Sequence, residues 1–372
     1  MAALTTWILV TAISLTPPVA AGLPGRIDVD CESETALKRA LARAARIGEV
    51  DIYLNGVCVG NFVITGGDVT LRAATPGSGL AAPSEPTAPA VLEIDHAKAS
   101  LRGLVVQGGE IGVFVHGWDA EVFVYQTDVH DQIGVGVYGS RGATVRVFES
   151  TVRDGFTGVS VQDDGQLFLQ QSVVSNLQVG VTVFDESFAG ISETTIENNG
   201  EGGLNVGHRS DVNILGGVFR DNGQVHVNAN DWSSVTLLFE PTIGSETDAT
   251  SYSLSVNREA VIASYSTPDL YGDVSALVGG SIRIGNTVVH GDLTALQFAN
   301  AHVRNSEITG VVACTDGSDV ICKQTTTGGV VGCPSPTCGP APEAVGTAPP
   351  VPEHPVIELP RFERQLGSRP QP

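Results

Sequence analysis

Apolar residues recur through the middle of the chain in short alternating phrases. Between Ala99 and Ser234 one phrase returns six times: Gly112-Val-Phe-Val115, Gly134-Val-Gly-Val137, Gly158-Val-Ser-Val161, Gly180-Val-Thr-Val183, Gly203-Leu-Asn-Val206 and Gln224-Val-His-Val227. Its closing valines stand 22, 24, 22, 23 and 21 residues apart. Alternation with period two marks a strand with one buried face, and a fixed repeat of this length marks a solenoid. Each repeat carries two further apolar segments. One supplies inward pairs such as Val122/Val124, Val145/Val147 and Leu167/Leu169; the other supplies Val106, Val129, Val152, Val174, Ile196 and Phe219. Such short strands, with no helices between them, cannot form a doubly wound sheet. The pattern predicts an all-β chain: a parallel β-helix whose equivalent residues stack at about 4.8 Å, right-handed by the strong preference of parallel crossovers.

The flanks read differently. Trp7 to Leu15 is a short apolar run, followed by Pro17-Pro18 and Val19-Ala20-Ala21. This predicts a signal peptide over 1–21, cleaved after Ala21, and too short to span a membrane. Ser33 to Arg46 has helical spacing, with Leu37, Leu41 and Ala44-Ala45 on one face and Ser33 or Thr35 as N-cap. A short amphipathic helix here would cap the open end of the first coil. Residues 22–338 form the expected β-helix domain. The pattern loosens over Glu240–Leu277 and tightens again before a cysteine-rich end. Residues 339–372 are Pro-rich and aperiodic, which predicts a disordered tail.

Charge narrows the partners. With 41 acidic and 20 basic side chains, the formal net charge is −21, which argues against nucleic acid, since phosphate binding needs clustered Lys and Arg. Six cysteines, Cys31, Cys58, Cys314, Cys322, Cys333 and Cys338, fit an oxidising compartment. Their clustering favours Cys31–Cys58 across the N-terminal cap and two bridges among the other four, whose pairing stays open. Zinc is the rival reading of those four.

Three constellations can carry chemistry. Asp131, Asp154, Asn176, Asn198 and Asp221 follow the third strand in register, and a register this regular is what a structural turn ladder needs. A second set follows the valine phrase. One row reads Gly117, Gly139, Asp163, Asp185, His208, Ala229; the next reads Trp118, Ser140, Asp164, Glu186, Arg209, Asn230. Here Asp163, Asp164, Asp185 and Glu186 are candidate Ca²⁺ ligands, His208 a candidate general base, and Arg209 a holder of a sugar carboxylate. The bland alternative is a solvated turn with a Glu186–Arg209 surface pair. The third set is the outward face of the valine strand. Its rows are Phe114, Gly136, Ser160, Thr182, Asn205, His226 and His116, Tyr138, Gln162, Phe184, Gly207, Asn228, and aromatics and amides on such a face suit an extended polymer.

The valine phrases, the Asx ladder and the opening Asn55-Gly-Val-Cys58, Gly60-Asn-Phe-Val-Ile64 and Val69-Thr-Leu71 make the chain resemble right-handed parallel β-helix proteins of the pectin-lyase-like superfamily. The resemblance covers roughly Cys31 to Cys338, and the opening looks like the first coil of bacterial exported members. It implies a secreted, periplasmic or cell-surface location and action on polysaccharides. Pectate lyases of the superfamily use acidic Ca²⁺ ligands on an outward strand face with an arginine base. The two outward rows of the valine strand hold no Asp, and the Asp-Pro-His-Glu motif of alginate epimerases is absent. The reading is a monomeric secreted protein that associates with an acidic polysaccharide or cell-surface glycan, acting as a lyase or hydrolase where it is active. The alternative is a non-catalytic envelope or adhesion scaffold.

Overall fold

The structure, a computed structural model, describes residues 25–33, 35–86, 88–247, 251–266, 268–333 and 338. The signal peptide and the Pro-rich tail lie outside the described residues. What the chain builds is a nearly all-β parallel solenoid with one helix near its N-terminus. Most coils contribute three strand segments. The second segment forms one flat sheet of 14 strands that runs the length of the described solenoid. The short third-segment strands and the valine strands form the other two walls. These walls merge where Thr151–Val161 and Val173–Val183 run through the corner between them.

Inward positions are aliphatic and dry. Val113, Val122, Val124, Val129, Val145, Val147, Leu167, Leu169 and Ile191 are fully buried in one continuous core. Fully burying one such side chain is worth about 1.5–3 kcal/mol relative to exposure. Turns hold the coils in register with polar ladders. Thr127, Ser150, Ser172 and Thr194 are buried at equivalent positions, and each hydroxyl but the first accepts the backbone N–H of its counterpart one coil earlier. Asp131, Asp154, Asn176, Asn198 and Asp221 all adopt left-handed backbone, with φ of 53–64°. Asn and Asp tolerate that region best among non-glycine residues, so this row is a turn device.

The helix spans Ala36–Ile47 and buries Leu37, Ala40, Leu41 and Ala44 over the first coil. Thr35 is its N-cap residue but makes no side-chain cap bond, and Ala45 faces solvent. One strand escaped the sequence reading. Gly25–Asp30 pairs in parallel with Glu49–Asn55 and extends the flat sheet beneath the helix. The loosened region still forms coils, through Tyr252–Val256, Val261–Ser264 and Asp273–Ala276. The cysteines pair as Cys31–Cys58, Cys314–Cys333 and Cys322–Cys338, so no thiolate is left to hold zinc.

Candidate functional site

The register corrects two of the six valine phrases. Val115 pairs with Gly139, which pairs with Val161; Val206 pairs with Ala229. The stacking positions are therefore Val115, Gly139, Val161, Val183, Val206 and Ala229. A slip of two residues keeps the same face inward, so alternation alone cannot choose between the two alignments. The correction moves the flanks of every row. Gly117 now precedes Arg141, Asp163, Asp185, His208, Asp231 and Arg258 in the first turn row. The second turn row runs Gly142, Asp164, Glu186, Arg209, Trp232 and Glu259. Backbone bonds from Gly142 to Asp163, Asp164 to Asp185, Glu186 to His208, Arg209 to Asp231 and Trp232 to Arg258 fix this order.

Asp163, Asp185 and His208 thus do stack, but among cations the sequence reading left out. Both central residues of each turn have positive φ: Asp163 and Asp164, Asp185 and Glu186, His208 and Arg209, Asp231 and Trp232. His208 Nδ1 lies 2.7 Å from Asp185 Oδ1, and its Nε2 lies 3.6 Å from Asp231 Oδ2. Arg258 holds the other Asp231 oxygen at 3.4 Å, and Arg209 reaches Glu186 at 3.3 Å. The Asp163 carboxyl is raised above the ordinary range, first by burial and then by the charge of Asp185; Arg141 opposes the shift. Apart from the adjacent Asp163 and Asp185, the row sets acidic beside basic residues within the chain.

The outward face of the valine wall also changes. Its first row is Glu93, Phe114, Tyr138, Ser160, Thr182, Asn205 and Asn228; its second contains Asp95, His116, Ser140 and Gln162. It begins one coil earlier than expected and does carry an Asp. Phe114 stacks on Tyr138 at 5.1 Å and on His116 at 4.6 Å, Gln162 Nε2 donates to the Tyr138 hydroxyl, and Thr182 donates to Ser160. Burial, and then the charge of Asp163, pushes the Tyr138 phenol well above its ordinary range. Phe184 sits apart, tilted against His208 at 5.6 Å. The expected ligand contacts of three residues do not hold. His226 faces the lumen, fully buried, where Asn222 Nδ2 lies 3.3 Å from its Nδ1. Asn205 and Asn228 are buried and bond to each other at 3.3 Å. His226 takes the Gly203 position, in the corner beside the buried Asn222, and not the Asn205 position expected for it.

The flat sheet carries a patch that the sequence reading passed over. Phe123, Arg146 and Phe168 are paired in register on three successive coils, beside Arg102, Tyr125 and Phe148. All are half-buried. Phe123 and Tyr125 stack at 6.0 Å, Tyr125 and Phe148 at 5.7 Å, and Phe168 meets Phe188 at 6.1 Å. The Arg146 guanidinium lies 4.6 Å over the Phe168 ring, and Arg102 lies 5.8 Å from Phe123. Glu121 holds Arg146 at 2.8 Å and Lys98 at 3.6 Å. Arg102 donates only to Ser100 Oγ among the described residues. The signal was available: these residues alternate with the inward pairs Val122/Val124, Val145/Val147 and Leu167/Leu169.

Comparison with known proteins bears on the fold. Residues 92–246 match the family described as the right handed beta helix region. Two solved structures from Azotobacter vinelandii share the fold. The A-module of mannuronan C-5 epimerase AlgE4 aligns over 85% of this chain and 96% of its own, with 16% identity and a TM-score of 0.54. The A-module of mannuronan C-5 epimerase AlgE6 aligns over 81% and 90%, with 16% identity and a TM-score of 0.55. A search of the curated proteins returns no match. Residues 92–246 are thus similar to right handed beta helix regions, and the two solved structures share the parallel β-helix fold of this chain.

Proposed function

We propose that this protein is exported and binds an acidic polysaccharide along the flat sheet, across Phe123, Arg146 and Phe168. The observation that carries the reading is the ring–guanidinium–ring row. Phe123 and Phe168 lie two strand spacings apart, about 9.6 Å, with a cation between them. Rings present apolar faces to the C–H faces of sugars, and a guanidinium forks onto a carboxylate. In a chain of net charge −21, this face gathers Arg102, Arg146 and Lys98, the last two beside Glu121, and so offers cations to a polyanion. The two fold neighbours are named for mannuronan, which supports a uronate polymer as the first ligand to try. Three disulfides support an oxidising compartment, and the apolar segment at Trp7–Leu15 supports export.

Calorimetric titration with oligomannuronate and with a neutral glucan tests the reading. Oligomannuronate binds and the glucan does not, and Arg146→Gln and Phe168→Ala each weaken binding at least tenfold. The Asp185→Ala/His208→Ala double variant binds as the parent does. Unchanged affinity in both flat-sheet variants defeats the proposal. Loss in the double variant alone moves the site to the turn row.

A further inference from the structure

One coil before the repeat, the valine wall and the turn that follows it bring two histidines to one carboxylate. Asp95 pairs in register with His116, and His96 follows it in the turn. Glu93 Oε1 lies 2.9 Å from His116 Nε2, and Asp119 Oδ1 lies 2.7 Å from His96 Nδ1. An ionised carboxylate only accepts, so each of those ring nitrogens carries a proton. When the rings are neutral, the lone pairs are on His116 Nδ1 and His96 Nε2. Both face Asp95 Oδ1, at 3.4 and 3.8 Å. These spacings exceed an ordinary hydrogen bond. They approach the edge of a tetrahedron around zinc, about 3.3 Å for bonds of about 2.0–2.1 Å.

We propose that Asp95, His96 and His116 bind a divalent transition metal of the Zn²⁺ class, with Glu93 and Asp119 orienting the two imidazoles. Two nitrogens and one carboxylate oxygen are the donors such an ion takes, whereas Ca²⁺ takes oxygens. The outer carboxylates complete two carboxylate–histidine–metal arrangements, which fix the tautomer and make each ring a better donor. Charge points the same way. Among the described residues, every ion pair of Glu93, Asp95 and Asp119 is to His96 or His116, and no Lys or Arg answers these three carboxylates. The donor atoms that lie within 4.8 Å of one another are those of Glu93, Asp95 and His116, and His96 Nε2 stands 3.8 Å from Asp95 Oδ1. The His116 side chain is only 12% exposed and its ring stacks on Phe114, so its orientation is set before an ion arrives. Gly117 makes room for the second ring: a Cβ there would sit 2.7 Å from His96 Nδ1. This site is separate from the turn carboxylates Asp163–Glu186 and from the flat-sheet patch.

Calorimetric titration of the untagged, chelator-stripped full chain with Zn²⁺ decides the matter. One equivalent binds, and excess Ca²⁺ does not displace it. His96→Ala and His116→Ala each weaken binding at least tenfold, and Asp119→Asn weakens it by about 10–100-fold. His208→Ala binds as the parent does. Asp119 is exposed, so its variant keeps the fold and reports even where His116→Ala does not fold. Absence of saturable binding overturns the proposal. So does equal affinity in the His96 and Asp119 variants.

Discussion

His96 and His208 occupy the same turn row, separated by Gly117, Arg141, Asp163 and Asp185, and begin from the same contact. Each places Nδ1 at 2.7 Å from a carboxylate one coil away, Asp119 for His96 and Asp185 for His208. They differ in what the second nitrogen meets. His208 Nε2 faces Asp231, whose other oxygen is held by Arg258. His96 Nε2 faces Asp95, whose partner is a second imidazole. One cluster is a closed charge network within the protein. The other gathers acceptors and lone pairs and leaves the cation to be supplied from outside. A histidine–carboxylate pair is therefore uninformative alone; the next neighbour decides whether it is structural or a site.

The largest effect that separates the two clusters is thermal. At Zn²⁺ a hundredfold above Kd, binding to the native state alone adds about 2.7 kcal/mol. Differential scanning calorimetry then shows a raised Tm in the parent and in His208→Ala, and little shift in His96→Ala. A smaller effect compares two glycines that follow the valine wall on different coils. Gly117→Ala places a Cβ at φ +106° and against the His96 ring. The left-handed strain alone costs about 1–2 kcal/mol, and Zn²⁺ affinity falls with it. Gly207→Ala meets only the edge of Phe184, with no positive φ, and costs less because a side chain can move aside. Chemical unfolding of the two variants checks the order.

The two clusters also differ in how far the sequence exposed them. The period, the inward valines, the Asx turn ladder and the Cys31–Cys58 bridge were legible because each repeats or clusters along the chain. The register was legible only modulo two residues, since Val137 and Gly139 both fit the inward face. That ambiguity hid Arg141 and Asp231 from the turn row and matched His226 to Asn205 where it stacks at the Gly203 corner. His96, after Asp95, reads from the sequence as a surface histidine for another reason: its coil lies before the regular phrases, and no phrase marks where Glu93 or Asp95 points. The flat-sheet patch was present as outward residues between named inward ones. Its row of rings and arginines forms only when coils of 22–23 residues are stacked in the observed register.

A gentler change brings the closed network nearer to the open one. Arg258→Gln removes the cation that shares Asp231 with His208. Both Arg258 and His208 are about half exposed, so solvent screens the loss. Stability falls by less than about 1 kcal/mol at low salt, and the difference shrinks as salt is added. A salt-independent loss would mean that Arg258 acts through packing of its aliphatic stem, and the network would not be an electrostatic one.

The smallest expected effect concerns the carboxylate that the network compensates least. Asp163 is raised above its ordinary value of 3.8 by burial and by Asp185 beside it, with Arg141 opposing. A carboxyl whose folded pKa exceeds its unfolded one holds its proton more tightly in the native state. The penalty is absent below the unfolded value, grows as pH rises through the folded one, and is full at neutral pH. Asp163→Asn removes the charge and keeps a side chain that tolerates the left-handed turn. The variant is therefore more stable than the parent at pH 7, by less than about 1 kcal/mol at this solvent-screened position. The gain disappears as pH falls below the unfolded value. Urea unfolding at both pH values measures it. A gain that persists in acid would assign the effect to turn propensity, and would leave Asp163 and Asp185 as neighbours without measurable repulsion.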